Sequence, residues 1–106
     1  MSDDEREFGP QPLIAVMDRW HLENHDLVDA SLEQLTHKQV QRARNGRKLT
    51  LKMMMKVARA LNVAIWNRLK AGEKELFVEY LHKDIFSYSK GYDAAKEDPN
   101  SGILPD

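Results

Sequence analysis

Residues 35–63 read LTHKQVQRARNGRKLTLKMMMKVARALNV, and the spacing of their few apolar positions decides the fold. Thr36 with Gln39 three positions on forms a T-x-x-Q capping box, in which each side chain satisfies an orphan backbone N–H of the other residue. A helix therefore starts at Thr36. Val40 and Ala43 are its only apolar residues before Gly46, which stops it as a residue just past a helix end should. A helix this polar exposes most of its surface. Thr50 caps the next helix, with predicted inward positions Leu51, Met54, Met55, Val57, Ala58 and Leu61 and an end at Asn62-Val63. The run Met53-Met54-Met55 reads as flexible core filler, since thioether ligands here would lack partners.

Working outward, Pro12 suits the first position of a helix, where its missing N–H costs nothing. Leu13, Ile14, Val16, Met17 and Trp20 then recur at helical spacing, predicting a first helix over 12–22. Asn24 is a good N-cap for a short second helix carrying Leu27, Val28 and Ala30. Beyond Val63, the residues Ile65, Trp66 and Leu69 predict a fifth short helix before Ala71-Gly72. Residues 73–89, EKELFVEYLHKDIFSYS, read as one longer final helix, with Glu73 and Glu75 at its positive end. Its apolar residues cover more than one face, while a small core needs a single stripe of about 100°. The surplus suggests a second buried surface, with Phe77, Tyr80, Leu81 and Ile85 as the candidate dimer interface. No strand pattern or internal repeat occurs. The expected fold is all-α, a compact bundle of about five short helices plus a longer C-terminal one.

At 106 residues the chain makes one small domain. No apolar run approaches the ~20 residues of a membrane span. The start, MSDDEREFGPQP, is acidic and lacks the basic and apolar regions of a secretory signal. There is no cysteine, hence no disulfide framework and no thiolate metal site. These features together predict a cytoplasmic location and no membrane partner.

The net charge of −1 hides a segregation. From Gln34 to Gly72 there is no acid, yet Lys38, Arg42, Arg44, Arg47, Lys48, Lys52, Lys56, Arg59, Arg68 and Lys70 all lie there. The chain is thus +10 in the middle and −11 elsewhere. Solvated faces normally mix both signs, so this asymmetry points to a polyanionic partner.

The stretch from Leu35 to Val63 resembles the third and fourth helices of the Cro/repressor-type (lambda repressor-like) helix-turn-helix family. Leu35, Thr36, Val40, Gly46, Thr50, Leu51, Ala58, Ala60, Leu61 and Val63 fall on that family's pattern, and Met54 and Met55 stand where it usually has leucines. Two departures accompany the match. The interval from Leu27 to Val40 is two residues longer than the family spacing, and the turn SLEQL has no glycine. Val28 also occupies a position where the family prefers Ala. The resemblance implies a helix-turn-helix DNA-binding domain over 11–72. Around it lie a disordered acidic arm at 1–10, the dimerisation helix at 73–90 and a flexible tail at 91–106.

In the arrangement this resemblance implies, the helix from Thr36 enters the major groove of double-stranded DNA, which admits an α-helix. His37, Lys38, Gln41 and Arg42 are then the base-contact candidates. Arg or Lys can pair with guanine O6 and N7, and Gln can bridge adenine N6 and N7. Thr36, Arg44, Asn45, Arg47, Lys48 and Lys52 would meet phosphates, as would Asn24 and His25 at the start of the second helix. A homodimer is expected, because one short helix reads few base pairs and paired half-sites lie ~34 Å apart. DNA is favoured over RNA because no aromatic residue interrupts Gln34 to Ile65.

Other chemistry fares worse. His21 and His25 are four apart, and Glu23 or Asp26 lies near, but a helix cap between the histidines need not leave them on one face. They read as surface histidines and not as a metal site. No phosphate-binding glycine loop or nucleophile–base arrangement occurs, so neither an enzyme nor a cofactor or small-molecule site is expected. The rival reading is an antitoxin-like or adaptor domain whose basic face or apolar last helix holds an acidic protein partner.

Overall fold

The computed structural model describes residues 7–105. Its helices are α1 (Pro12–Arg19), α2 (Asn24–Ala30), α3 (His37–Asn45), α4 (Leu51–Trp66), α5 (Ala71–Lys74) and α6 (His82–Ile85), and no strand occurs among the described residues. The fold is all-α. The long central helix α4 packs on α2, α3 and α6, while α1 packs on α3 and α6. No helix of the described residues is long and apolar enough to cross a membrane.

Local signals set the centre of the chain. The Gln39 N–H donates to Thr36 Oγ1 at 3.1 Å, and the Thr36 N–H donates to Gln39 Oε1 at 3.0 Å, which closes the capping box. Gly46 adopts φ 89° as the C-cap of α3. Thr50 Oγ1 accepts from the Met53 N–H and starts α4. The glycine-free turn between α2 and α3 finds its left-handed residue in Gln34, at φ 59°. Ser31 Oγ braces that turn by accepting the Glu33 and Leu35 N–H groups.

The core gathers Leu13, Val16 and Met17 from α1 and Trp20 just after it with Leu27, Val40 and Ala43. Against them lie Met54, Val57, Ala58, Ala60, Leu61, Ala64 and Ile65 of α4. Each large side chain buried this way contributes roughly 1.5–3 kcal/mol. Two expected inward positions face outward instead: Leu51 is 54% exposed and Met55 40%. Of the three methionines, Met54 is buried and Met53 packs partly against the core.

Several boundaries differ from expectation. α1 stops at Arg19, not at residue 22, because Trp20 leaves helical geometry and His21 turns at φ 56°. Glu23, not Asn24, is the N-cap of α2, and the Asn24 side chain reaches α3. α4 runs through Asn62-Val63 to Trp66 and absorbs the expected fifth helix. Asparagine weakens helices by bonding to its own local backbone, but the Asn62 amide is engaged elsewhere.

That engagement explains the largest difference. The expected 73–89 helix does not form; only the single turns α5 and α6 are helical, and residues 77–81 have no regular structure. Asn62 Nδ2 donates to the Tyr80 carbonyl at 2.9 Å, and its Oδ1 accepts the Tyr80 N–H at 2.8 Å. Asn100 clamps Val78 in the same two-bond way, both at 2.8 Å. These side-chain amides supply the pairing that buried backbone requires and that a helix would otherwise have supplied.

Part of the apolar surplus is internal, while Leu76, Val78 and Leu81 stay exposed. Tyr80 is 2% exposed, and Ile85 and Phe86 are fully buried. Trp20 Nε1 donates to the Tyr80 hydroxyl at 2.9 Å, which donates to the Asp98 carboxylate at 2.7 Å. Arg19 closes the chain with an ion pair to Asp98 at 2.7 Å. Within the expected tail, Asn100 is buried and Ile103 and Leu104 rest against the core, while most other described residues there are exposed. Most of the expected acidic arm, residues 1–6, lies outside the described residues.

Candidate nucleic-acid interface

α3 turns Val40 and Ala43 inward and leaves His37, Lys38, Gln41, Arg42 and Asn45 exposed. Lys38, Gln41, Arg42 and Asn45 stand at i, i+3, i+4 and i+7, so they form one stripe. Of the expected base contacts, Lys38, Gln41 and Arg42 share this stripe. His37 sits at the first turn, lining a polar cleft with Asn24, His25 and Arg44.

A hydrogen-bond chain organises the stripe. Asn24 Nδ2 donates to Gln41 Oε1 at 2.9 Å, and Gln41 Nε2 donates to Asn45 Oδ1 at 3.3 Å. A glutamine amide has two donors and two acceptor lone pairs, so Gln41 is oriented and still keeps one of each. Arg44 Nη1 donates to Asn24 Oδ1 at 2.7 Å, while its Nε is buried without a partner. Arg44 and Asn24, expected at phosphates, thus hold α2 against α3. His25 lies 3.4 Å from Asp26 and 3.8 Å from Glu23, acidic neighbours that oppose an anion there. Asp26 Oδ2 also takes the Glu23 N–H, one of the amides otherwise open at the start of α2. Among the described residues, no group of three or more His, Cys, Asp or Glu could hold a metal ion.

The positive middle segment is partly neutralised by residues just outside it. Arg59 makes two bonds to Glu33 at 2.6 and 2.7 Å, and this hydrogen bonding holds the Glu33 carboxyl below its ordinary range. Arg68 pairs with Asp26 at 3.0 Å and caps the His21 carbonyl at 2.9 Å. Lys38, Arg42, Arg47, Lys48 and Lys52 make no ion pair with any described residue. Lys48 and Lys52 are exposed and Arg47 half-buried. Lys56 and Lys70 make none either, so most of the segment's unpaired charge lies on α3, the link after it and α4, with Lys70 further on.

Tyr88 fixes that link. Its hydroxyl donates to the Arg47 carbonyl and accepts the Leu49 N–H, both at 3.0 Å. Phe8 stacks on the Tyr88 ring with centroids 4.5 Å apart, and the Phe8 N–H donates to the Gly46 carbonyl at 2.8 Å. Gln11 joins the start of α1 to the end of α3 through its N–H, which donates to the Arg44 carbonyl at 3.0 Å. Its Oε1 takes the Ser87 N–H at 2.7 Å. Sequence reasoning missed Gln11, Asn24 as a brace, and Tyr88. Their partners are up to 76 residues away, and no local pattern marks them.

Of the expected dimer residues, Tyr80 and Ile85 are ruled out as surface by their burial. Leu81 is 47% exposed and Phe77 half-buried. Phe77 lines an apolar groove with Val63 and Trp66, continued by a neighbouring cleft that includes Leu32, which is 92% exposed.

No protein-family model matches this chain, and no curated protein or solved structure is significantly similar to it.

Proposed function

We propose that this protein binds double-stranded DNA sequence-specifically, as a transcriptional regulator, with α3 in the major groove. The observation that carries the reading is the exposed Lys38-Gln41-Arg42-Asn45 stripe continuing into Arg47, Lys48 and Lys52. Charge without an internal partner lies beside an oriented amide with a free donor and a free acceptor. Lys38, Gln41 and Arg42 read bases; Arg47, Lys48 and Lys52 meet phosphates and set register. The resemblance of residues 35–63 to Cro/repressor-type proteins supports the same reading. A homodimer suits it, because a nine-residue helix reads few base pairs. Phe77 and Leu81 are the two expected interface residues that keep exposed surface.

The test is binding to random-sequence duplex DNA across a salt series. Phosphate neutralisation makes log K fall with log salt at about −0.9 per contacted phosphate, so three contacts give roughly −3. No affinity at low salt overturns the reading. One observation favours a second reading: the groove at Leu32, Val63, Trp66 and Phe77 leaves large apolar side chains uncovered, as protein-interaction surfaces do. Under it the chain is an antitoxin-like or adaptor domain.

A further inference from the structure

We propose that a second copy of this chain docks on the Leu32 face, each copy seating its Leu32 in the apolar groove of the other. The proposal gives the homodimer named above an interface, and it stands or falls without DNA.

The turn between α2 and α3 holds Leu32 out on fixed supports. Ser31 Oγ accepts the Glu33 and Leu35 N–H groups, and Arg59 of α4 grips the Glu33 carboxylate through two bonds. Gln34 completes the turn at φ 59°. Leu32, between these points, is 92% exposed. The DNA-binding reading makes no use of it.

A groove that fits such a side chain lies beside it. One cleft of about 300 Å³ runs from Ala30 and Leu32 past Arg59 to Val63. A second, of about 320 Å³, continues to Trp66 and Phe77. Asn62, Val63 and Glu79 line both, so the two form one groove. The Asn62 amide is taken by the Tyr80 backbone, which leaves Val63, Trp66 and Phe77 as apolar walls. A protruding leucine and a groove for one, on the same face, make that face complementary to itself. A two-fold axis between two copies then forms the contact twice.

Charge favours the same occupant. Glu33 and Glu79 line the groove, and they oppose an acidic protein there. Glu79 is exposed and makes no ion pair among the described residues. Beside Leu32 stand Arg59 and Lys56, whose charges both act on Glu33. Seating Leu32 in the other copy therefore carries two cations toward a groove rimmed by an unpaired carboxylate. Exposed Leu76 and Val78 flank Phe77 in the chain and offer further apolar area toward the ~800 Å² per copy of a stable interface. No residue of this face belongs to the α3 stripe or its link, so both surfaces can be occupied at once.

The test is the mass in solution, by sedimentation equilibrium over a dilution series without DNA. The wild type is expected at twice the mass of one chain. Leu32→Glu, at a site too exposed to disturb folding, is expected to raise the dimer dissociation constant about thirtyfold or more, as the loss of one interfacial hot spot does. Trp66→Lys is expected to weaken the dimer likewise. Mixing the two variants is expected to restore it, because one Leu32 contact stays intact and the two new charges attract in the other. If Trp66→Lys does not fold, Leu32→Glu decides alone. A wild type that stays monomeric to millimolar concentration overturns the proposal. A dimer that Leu32→Glu leaves intact overturns this interface. Duplex binding is measured separately, so either reading can fail while the other stands.

Discussion

Gln41 on α3 and Asn62 on α4 carry the same amide chemistry and use it in opposite ways. Asn62 gives both its oxygen and its nitrogen to the backbone of Tyr80, and Asn100 does the same for Val78. Around them the Trp20–Tyr80–Asp98–Arg19 chain ties four more polar side chains to one another. Gln41 is oriented by Asn24 and Asn45 but retains a donor and an acceptor at the surface. Beside it Lys38 and Arg42 of α3 and the cations of the link make no ion pair among the described residues. One region uses polar groups to hold an irregular segment against the core, and the other holds them ready for something outside. The second arrangement is the one proposed above to meet DNA.

The sharpest way to break the comparison is at the internal region. Tyr80→Ala should cost about 3–5 kcal/mol, as aromatic truncations in cores do, read from denaturant unfolding. A loss below 1 kcal/mol would mean that Tyr80 is not the hub described. Gly46→Ala, at the boundary of the two regions, should cost about 2 kcal/mol for the left-handed backbone, with the clash of its Cβ against the Gly9 backbone adding to it. The wild-type stability on this substitution would contradict the close approach.

At the outer region the effects divide by role. Arg42→Ala should lose about 1–3 kcal/mol on a preferred site and little on others, because a base contact carries the discrimination. Arg47→Ala should instead weaken every sequence alike and lower the salt slope by about one. If both substitutions reduce all sequences equally, α3 is not reading bases.

Smaller still is the effect of pH. Burial pushes the Tyr80 hydroxyl up to about 12 from 10.0. The folded state therefore holds this proton more tightly than the unfolded chain. Its contribution to stability is full below about pH 10 and is lost as pH rises from there through about 12. Tyr80→Phe should flatten that alkaline decline, and an unchanged decline would assign it to another group. The smallest effect belongs to Glu33, whose carboxyl is lowered by its hydrogen bonds from Arg59 at an exposed site. Glu33→Gln should remove a slight loss of stability as pH falls below the ordinary carboxylate range, and salt should erase the difference.

What could be read from the chain alone follows the same division. Thr36, Gln39, Gly46 and Thr50 act on backbone groups within four residues, so their caps are visible as local spacing. The exposure of Lys38, Gln41 and Arg42 follows from the thin seam of Val40 and Ala43. The C-terminal third was not legible in that way. Its apolar residues suit a helix, and only the distant Asn62 and Asn100 make the non-helical path favourable. Likewise the absence of acids between Gln34 and Gly72 concealed that Glu33 and Asp26 fold back onto Arg59 and Arg68. The effective cluster is smaller and more localised than the sequence count.

The central claim, that unpaired polar groups on α3 and its link meet duplex DNA, is tested most directly by amide-resolved titration with a short duplex. The account predicts shifts concentrated at residues 36–52, with residues 77–100 little changed. Shifts confined to the groove at Leu32, Val63, Trp66 and Phe77, or none at low salt, would contradict it.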